Sequence, residues 1–219
     1  MTMLALRRWA LLPLMLLGML STAAMAEAPA PDEVVRQAVN SLTARIDQER
    51  ERFDRDPAYT RMVVTQELEK IVDFRRITRL VMGEYFNGAT REQRNRFLER
   101  FRNNLVQTYA AGITLYNGQS IRVLPAQEGD VRGDRARVMM EFVTDSGRAV
   151  PIAYTLFLSD GNWKVDNVIV SGLNLGRVFR SQFEQAMAQH GNDIEKVIAS
   201  WSAELDVEQV KAGAGGDGA

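Results

Sequence analysis

Five side chains in this sequence are candidates for proton transfer, because aspartate can act as a base and tyrosine or aspartate as a donor. They are Asp73, Asp166, Tyr85, Tyr109 and Tyr154. An aspartate base beside a tyrosine or protonated aspartate donor is a pairing by which isomerases move a proton next to a carbonyl group. Asp73, however, precedes a helical pattern, where an N-cap belongs, and Asp166 interrupts a strand pattern. Both aspartates therefore have structural uses that compete with a catalytic role.

The composition excludes several other kinds of active site. The chain has one histidine, His190, and no cysteine, so thiolate chemistry, disulfides and lipid attachment to cysteine are all excluded. His190 precedes Gly191 at a predicted helix end, where a cation suits the helix dipole. The sequence contains no Gly-x-Ser-x-Gly motif, no glycine-rich phosphate loop and no metal-ligand spacing. It therefore predicts a protein that is not an enzyme and that holds no metal and no cofactor.

The beginning of the chain has the pattern of a secretory signal peptide. Arg7 and Arg8 precede an apolar segment over residues 9–20, and the small residues up to Ala26 fit a cleavage site. This apolar segment is shorter than the roughly 20 residues that span a bilayer. We therefore expect cleavage after Ala26 and export from the cytoplasm.

The rest of the chain divides into three predicted parts. Residues 27–31 form a short extended leader, residues 32–205 form one domain, and the glycine-rich residues 206–219 form a disordered tail. The whole chain has 27 basic and 28 acidic residues, and cleavage of the predicted signal peptide removes two of the basic ones. A broad face for nucleic acid or an anionic bilayer is therefore not expected.

Apolar residues recur at helical spacing in the first half of the domain and again near its end. Asp73 is predicted to begin a helix that Gly83 ends, and Thr90 and Gln93 form a capping box for the next one. Behind this box an aromatic stripe repeats every fourth residue from Phe97. These patterns predict a helical first half.

Alternating apolar and polar residues predict about four antiparallel strands in the second half. The strands lie near residues 121–123, 135–144, 150–158 and 163–170. Asp166 and Asn167 break the alternation of the last strand and predict a bulge. Helices, then a bent antiparallel sheet, then closing helices are typical of an α+β fold with helices over one concave face of the sheet.

Several of these segments together resemble one family. They are Val72-Asp73-Phe74, Gly83, Ala89-Thr90-x-x-Gln93, Phe97 with Phe101, Tyr154, Gly161-x-Trp163-Lys164-Val165, Gly172 and Phe179-Arg180-Ser181-Gln182-Phe183. In this order they resemble the periplasmic phospholipid-binding proteins of the MlaC, or toluene-tolerance auxiliary, family. The resemblance extends over residues 32–205. Asp166-Asn167 and Leu173-Asn174 depart from the family pattern.

The resemblance implies an NTF2-like fold, in which helices cover a curved sheet and an apolar pocket between them holds lipid tails. It implies a monomeric, soluble periplasmic carrier of glycerophospholipid that maintains outer-membrane lipid asymmetry. Its implied partners are a phospholipid with two or more acyl chains, an outer-membrane lipoprotein–porin complex, and the periplasmic substrate-binding subunit of an inner-membrane ABC transporter complex.

The predicted pocket lining combines the apolar stripes of both halves. Its members are Phe74, Ile77, Leu80, Val81, Phe97, Phe101, Leu105, Tyr109, Val138, Met140, Phe142, Ile152, Tyr154, Leu156, Trp163, Val165, Val168 and Phe179. Stripes at this spacing also form ordinary cores, so each residue has a core interpretation beside the lining one. Two alternatives stay open: a binding protein for another hydrophobic small molecule, and an NTF2-like isomerase or dehydratase.

Arginines cluster in three places in the sequence. They are Arg75-Arg76-Arg79, the stretch from Arg94 to Arg102, and Arg177 with Arg180. Such clusters are typical of solvated helix faces, but they also suit contact with a lipid phosphate or docking to a partner.

Overall fold

In the computed structural model of the protein, residues 28–114 and 116–202 are described, and they form an antiparallel sheet packed against helices. The predicted signal peptide and glycine-rich tail lie outside these residues. The described helices are α1 (Pro31–Gln48), α2 (Arg50–Arg55), α3 (Pro57–Ile71), α4 (Phe74–Met82), α5 (Tyr85–Gly88), α6 (Arg91–Thr114), α7 (Leu175–Gln189) and α8 (Ile194–Ser200). The described strands are β1 (Ile121–Val123), β2 (Val131–Arg132), β3 (Arg135–Val143), β4 (Ala149–Ser159), β5 (Asn162–Val170) and β6 (Leu173–Asn174).

The predicted helix boundaries around α4 and α6 are confirmed. Asp73 caps α4, since its carboxylate accepts the backbone N–H of Arg76 at 2.8 Å. Gly83 ends that helix with a φ of 55°, which L side chains rarely adopt. At the start of α6, the Gln93 N–H donates to Thr90 Oγ1 at 3.2 Å, and the Thr90 N–H donates to Gln93 Oε1 at 2.8 Å. This reciprocal capping box satisfies donors that the first helical turn leaves free.

The first helix has a distinct boundary at each end. It begins at Pro31, because the first residue of a helix has no partner for its N–H and proline has no N–H to leave unpaired. It ends at Gln48, since Glu49 leaves the helical region with a φ of −121° and α2 follows as a separate helix. The Tyr59 hydroxyl donates to the Glu49 carboxylate at 2.5 Å and holds the chain at this break.

The sheet has the strand order β1-β3-β4-β5-β6, and β2 also pairs with β3. The four predicted strands correspond to β1, β3, β4 and β5, while β2 and β6 have two residues each and are too short for alternation to predict. Thr155 pairs with Asn167 but Leu156 pairs with Val165, so Asp166 is an extra residue in β5. The predicted bulge is therefore confirmed, as is the α+β class.

Buried side chains form three separate clusters within the described ranges. The helical cluster consists of Val81, Met82, Ala89, Phe97, Phe101, Phe179, Phe183, Met187, Val197, Ile198 and Trp201. The N-terminal cluster consists of Leu42, Ile46, Phe53, Tyr59, Val63, Val64, Val106, Ala110 and Ile113. The sheet cluster consists of Val35, Val123, Ala136, Val138, Met140, Leu156, Trp163 and Val165. Because the members of each cluster are packed together, residues that lie between the clusters are the candidates for lining a cavity.

Candidate functional site

Four predicted lining residues on helices belong to the helical cluster. Phe97, Phe101 and Val81 have no accessible surface, and Phe179 is nearly as buried. The Phe101 and Phe179 rings pack edge to face with centroids 5.4 Å apart. An empty cavity wide enough for an acyl chain would leave its lining accessible to water. These four side chains are packed as core in the described structure, and their role in a lining stays a prediction.

The predicted lining residues of the sheet cluster are packed in the same way. Leu156 is fully buried and Val138 is 1% exposed. Met140, Trp163 and Val165 retain only a small accessible surface. These side chains fill the space directly over the sheet, where they pack against one another and against α1.

Eight predicted lining residues remain accessible, and five of them come from α6 and from strands β4 and β5 of the sheet. Leu105 and Tyr109 lie on α6, Ile152 and Tyr154 on β4, and Val168 on β5. Leu105 packs against the helical cluster, whereas the three strand residues pack against the sheet cluster. Tyr154 and Val168 are paired across β4 and β5, so they lie on the same face of the sheet. We take these five side chains together as the candidate lining and call the region between the helices and the sheet the interlayer site.

Tyr109 combines a high exposure with a perturbed phenol pKa. Burial among protein atoms raises the pKa of its phenol, yet 47% of the side chain is accessible to water. The two observations agree for a side chain that lies inside an open recess rather than on a convex surface. Burial also raises the pKa of Tyr154, and the charge of a Tyr109 phenolate raises it further. The two phenols of α6 and β4 are therefore within electrostatic range of each other across this space.

The other predicted lining residues occupy different places. Phe74 is buried in α4, and Ile77 packs against the helical cluster. Leu80 is 47% exposed on the same helix and belongs to none of the three clusters. Phe142 is partly accessible on β3, where it pairs with Val150. The structure thus does not gather all the predicted residues into one lining.

The proton-transfer candidates have structural partners. Asp73 caps α4. Asp166 accepts hydrogen bonds from Arg76 at 2.8 Å and from Arg135 at 2.7 Å. The ring of Tyr85 lies 5.9 Å from that of Phe183. Across residues 28–114 and 116–202, no group of three potential metal ligands occurs, and no helix is long and apolar enough to cross a membrane.

Two adjoining surface cavities flank α4, and both include Arg75 and Leu98. One has a volume of about 410 Å³, and we call it the mixed-charge cavity. Its lining is Glu69, Val72, Asp73, Phe74, Arg75, Leu98, Glu99, Arg102, Ser159, Asp160, Asn162 and Lys164. The other has a volume of about 390 Å³, and we call it the arginine groove. Its lining is Arg75, Arg76, Thr78, Arg79, Phe86, Arg91, Arg94, Asn95 and Leu98.

The arginine groove was only partly predictable from the sequence. The cluster at residues 75–79 was visible, but the chain does not reveal that α6 brings Arg91 and Arg94 beside it. Phe86 gave no signal, because a single aromatic residue on a four-residue helix has no periodicity.

Comparison with known proteins decides the family. The model of the MlaC protein family matches residues 36–203. The chain belongs to the MlaC family. It is 37% identical over 179 residues to the toluene tolerance protein ttg2D of Pseudomonas putida, covering 81% of this chain and 82% of that protein. It is 25% identical over 180 residues to the intermembrane phospholipid transport system binding protein MlaC of Haemophilus influenzae, covering 80% of this chain and 83% of that protein.

A solved structure shares the fold of this MlaC-family chain. It is the phospholipid-binding protein from Ralstonia solanacearum in complex with a phospholipid, with a TM-score of 0.69 and 22% sequence identity. The match covers 84% of this chain and 97% of that one. At this identity the likeness establishes the shared arrangement of helices and sheet.

Proposed function

We propose that this protein binds phospholipid in the interlayer site and carries it between membranes. The single observation that carries the proposal is Tyr109, which is surrounded by protein and yet half accessible. The named relatives support it, since one is an intermembrane phospholipid transport system binding protein and the solved Ralstonia protein is in complex with a phospholipid.

The chemistry of the interlayer site suits acyl chains. Leu105, Ile152 and Val168 offer aliphatic surface from two layers. Removal of each lipid methylene from water contributes about 0.8 kcal/mol, so burial of several methylenes against such surface stabilises the complex substantially. The hydroxyl of Tyr154 makes only a weak contact, donating to Met140 Sδ at 3.8 Å. This hydroxyl can therefore also meet a polar atom of a ligand.

The finer role that we propose is a shuttle across the periplasm. In it the exported chain takes glycerophospholipid from an outer-membrane complex and passes it to an inner-membrane transporter complex, or the reverse, and so maintains outer-membrane lipid asymmetry. The signal-peptide pattern of the sequence supports export. We propose that the carrier is a monomer without catalytic activity.

Native mass spectrometry of the protein purified from the periplasm tests the proposal. We expect bound phospholipid, and transfer of labelled phospholipid from donor vesicles to protein that has been stripped of its ligand. A protein that is clean of lipid and takes none from the vesicles would contradict the carrier function. A spectrum with a smaller hydrophobic compound instead would favour the alternative of a different ligand.

Variants of the interlayer site separate lining from core. Tyr154→Arg places a long charged side chain in the proposed site, and we expect lower lipid occupancy with unchanged export. Arg137→Glu changes charge on an exposed part of β3 and serves as the control, for which we expect unchanged occupancy. Full occupancy in a folded Tyr154→Arg protein would overturn the placement of the site.

A further inference from the structure

The arginine groove concentrates positive charge in a concave place. Five of its nine lining residues are arginines, and none of the nine is acidic. Arg75, Arg76 and Arg79 reach it from α4, and Arg91 and Arg94 from α6. A groove with this lining attracts carboxylates or phosphates, because the guanidinium fork matches both groups with two parallel hydrogen bonds.

Four of these arginines lack a neutralising partner. Within the described ranges, no carboxylate lies at ion-pair distance from Arg75, Arg79, Arg91 or Arg94. Neighbours on the same helix contrast with them: Arg96 pairs with Glu195 at 2.5 Å, and Arg102 pairs with Glu69 at 2.9 Å. Like charges that share a groove repel one another, so a bound anion relieves this repulsion.

Two of the guanidinium groups are held in place before any ligand arrives. The Arg94 guanidinium lies 4.3 Å from the centroid of the Phe86 ring, and that of Arg79 lies 5.4 Å from it. Arg94 also donates to the backbone carbonyl of Asn87 at 3.2 Å. The groove further includes Thr78, which is 2% exposed and whose hydroxyl has no hydrogen-bond partner among the described residues. The groove thus has guanidinium groups positioned in advance and a hydroxyl that lacks a hydrogen-bond partner.

The position of the groove argues against the phosphate of the carried lipid as its ligand. Arg94 and Tyr109 lie fifteen residues apart on α6, which is roughly 22 Å along the helix. The mixed-charge cavity lies beside the groove, and its lining includes Glu69, Glu99 and Asp160. Burying acyl chains against these charged groups would remove their water without compensation. The groove is therefore separate from the interlayer site.

An anionic bilayer fits the groove no better. A flat membrane surface needs a broad basic face, whereas this basic surface is a recess beside a cavity with four carboxylates. The whole chain carries a net charge of −1. Long-range attraction to a bilayer is therefore weak.

We propose that the arginine groove is a docking site for an acidic segment of a partner protein, whose aspartate or glutamate side chains enter the groove and pair with Arg75, Arg79, Arg91 and Arg94. Complementary charge of this kind accelerates encounter and fixes orientation. The contact is separable from cargo binding, because it uses neither Tyr109 nor Tyr154.

The test uses a fluorescently labelled hexaglutamate peptide as the acidic probe and measures its anisotropy with the full mature protein at low salt. The groove variant is Arg79→Glu with Arg91→Glu, both of which are exposed. The control is Arg61→Glu with Arg137→Glu, which makes the same change in net charge at exposed positions on α3 and β3. We expect the groove variant to bind the probe about tenfold more weakly than the wild type, and the control to lose less than about threefold.

Competition and cargo measurements decide the nature of the ligand. We expect glycerol phosphate and phosphatidylglycerol vesicles to displace the peptide only at higher concentration than unlabelled hexaglutamate does. Stronger displacement by either would overturn the acidic-protein assignment. We also expect equal lipid occupancy in the native mass spectra of wild type and both double variants. A loss confined to the groove variant would make the groove part of the cargo site and contradict the proposal.

Two further outcomes complete the test. Equal loss of peptide binding in the groove and control variants would show that only net charge matters, which would overturn the docking site. Should the double glutamate variant fail to fold, Arg79→Gln with Arg91→Gln replaces it, and an intermediate loss is expected. Failure of the carrier function leaves the peptide result unaffected, so the two proposals fail separately.

Discussion

Tyr109 on α6 and Tyr154 on β4 are coupled across the space between the helices and the sheet. Burial raises the pKa of both phenols, and the charge of Tyr109 raises that of Tyr154 further. Ionisation of either group therefore opposes ionisation of the other. This coupling requires that the two side chains lie near each other in a setting that water screens poorly.

The raised pKa of Tyr154 predicts how the free energy of unfolding depends on pH. An unfolded tyrosine has a pKa of about 10, and the folded pKa of Tyr154 is raised above it. Below about pH 10 both states keep the proton, so the contribution of Tyr154 is fully present. Above that pH the unfolded chain releases its proton first, and the free energy of unfolding falls as the pH rises. We expect Tyr154→Phe to reduce this fall, as measured by urea unfolding at a series of alkaline pH values.

A spectroscopic titration provides the matching control. Tyr109→Phe removes the charge that raises the pKa of Tyr154, so the last tyrosine to ionise should do so at lower pH than in the wild type. The ultraviolet absorbance of tyrosinate measures this directly. An unchanged titration curve would show that the two phenols are not coupled.

The second prediction separates core from lining on one helix. Phe101→Ala removes a ring with no accessible surface, and we expect a loss of about 3–5 kcal/mol in the free energy of unfolding. Tyr109→Ala removes a half-accessible ring, and we expect a loss of about 1 kcal/mol. Lipid occupancy should show the opposite order once both proteins are folded. Equal stability losses, measured by urea unfolding, would mean that Tyr109 is core.

This difference between Phe101 and Tyr109 is also where sequence reasoning reached its limit. A repeat of four residues advances about 40° around an α-helix at each step, because 3.6 residues make a turn. From Phe97 to Tyr109 the stripe therefore rotates by about 120°. Its beginning faces the helical cluster and its end faces the interlayer site. The spacing of Phe97, Phe101, Leu105 and Tyr109 predicts a single face of the helix, although tertiary packing places them against different parts of the protein.

Local features were predicted more successfully. The capping of α4 by Asp73, the Thr90–Gln93 box and the bulge at Asp166 depend on residues close together in the chain. The division of the core and the gathering of Arg91 with Arg75 depend on contacts between distant elements. Periodicity contains no information on those contacts, so the candidate site could be predicted only as a broad set of apolar residues.

The third prediction concerns Asp166, which is 4% exposed and pairs with Arg76 and Arg135. Arg76→Met with Arg135→Met leaves a buried carboxylate without a partner, and we expect a loss of about 3–5 kcal/mol in unfolding free energy. Asp166→Asn removes the buried charge instead. Because both arginines reach water, we expect a smaller loss, about 1–3 kcal/mol. Urea unfolding of the two proteins measures the order, and a larger loss for Asp166→Asn would contradict it.

The fourth prediction tests the close approach of α7 to the bulged strand. The Gly176 N–H donates to Asn167 Oδ1 at 3.0 Å, and a Cβ at Gly176 would lie only 2.6 Å from that oxygen. Gly176→Ala must therefore displace the Asn167 side chain, and we expect a loss of about 1–3 kcal/mol in unfolding free energy.

The control for this contact is Gly112→Ala on α6, where an added Cβ meets nothing within 4 Å. Alanine favours helix over glycine, so we expect a gain of about 0.5–1 kcal/mol there. In a chain that already carries Asn167→Ala, the obstructing amide is gone, and Gly176→Ala should cost less than it does alone. Thermal and urea unfolding of the four proteins measure this coupling. Additive losses would mean that Asn167 does not explain the need for glycine at the start of α7.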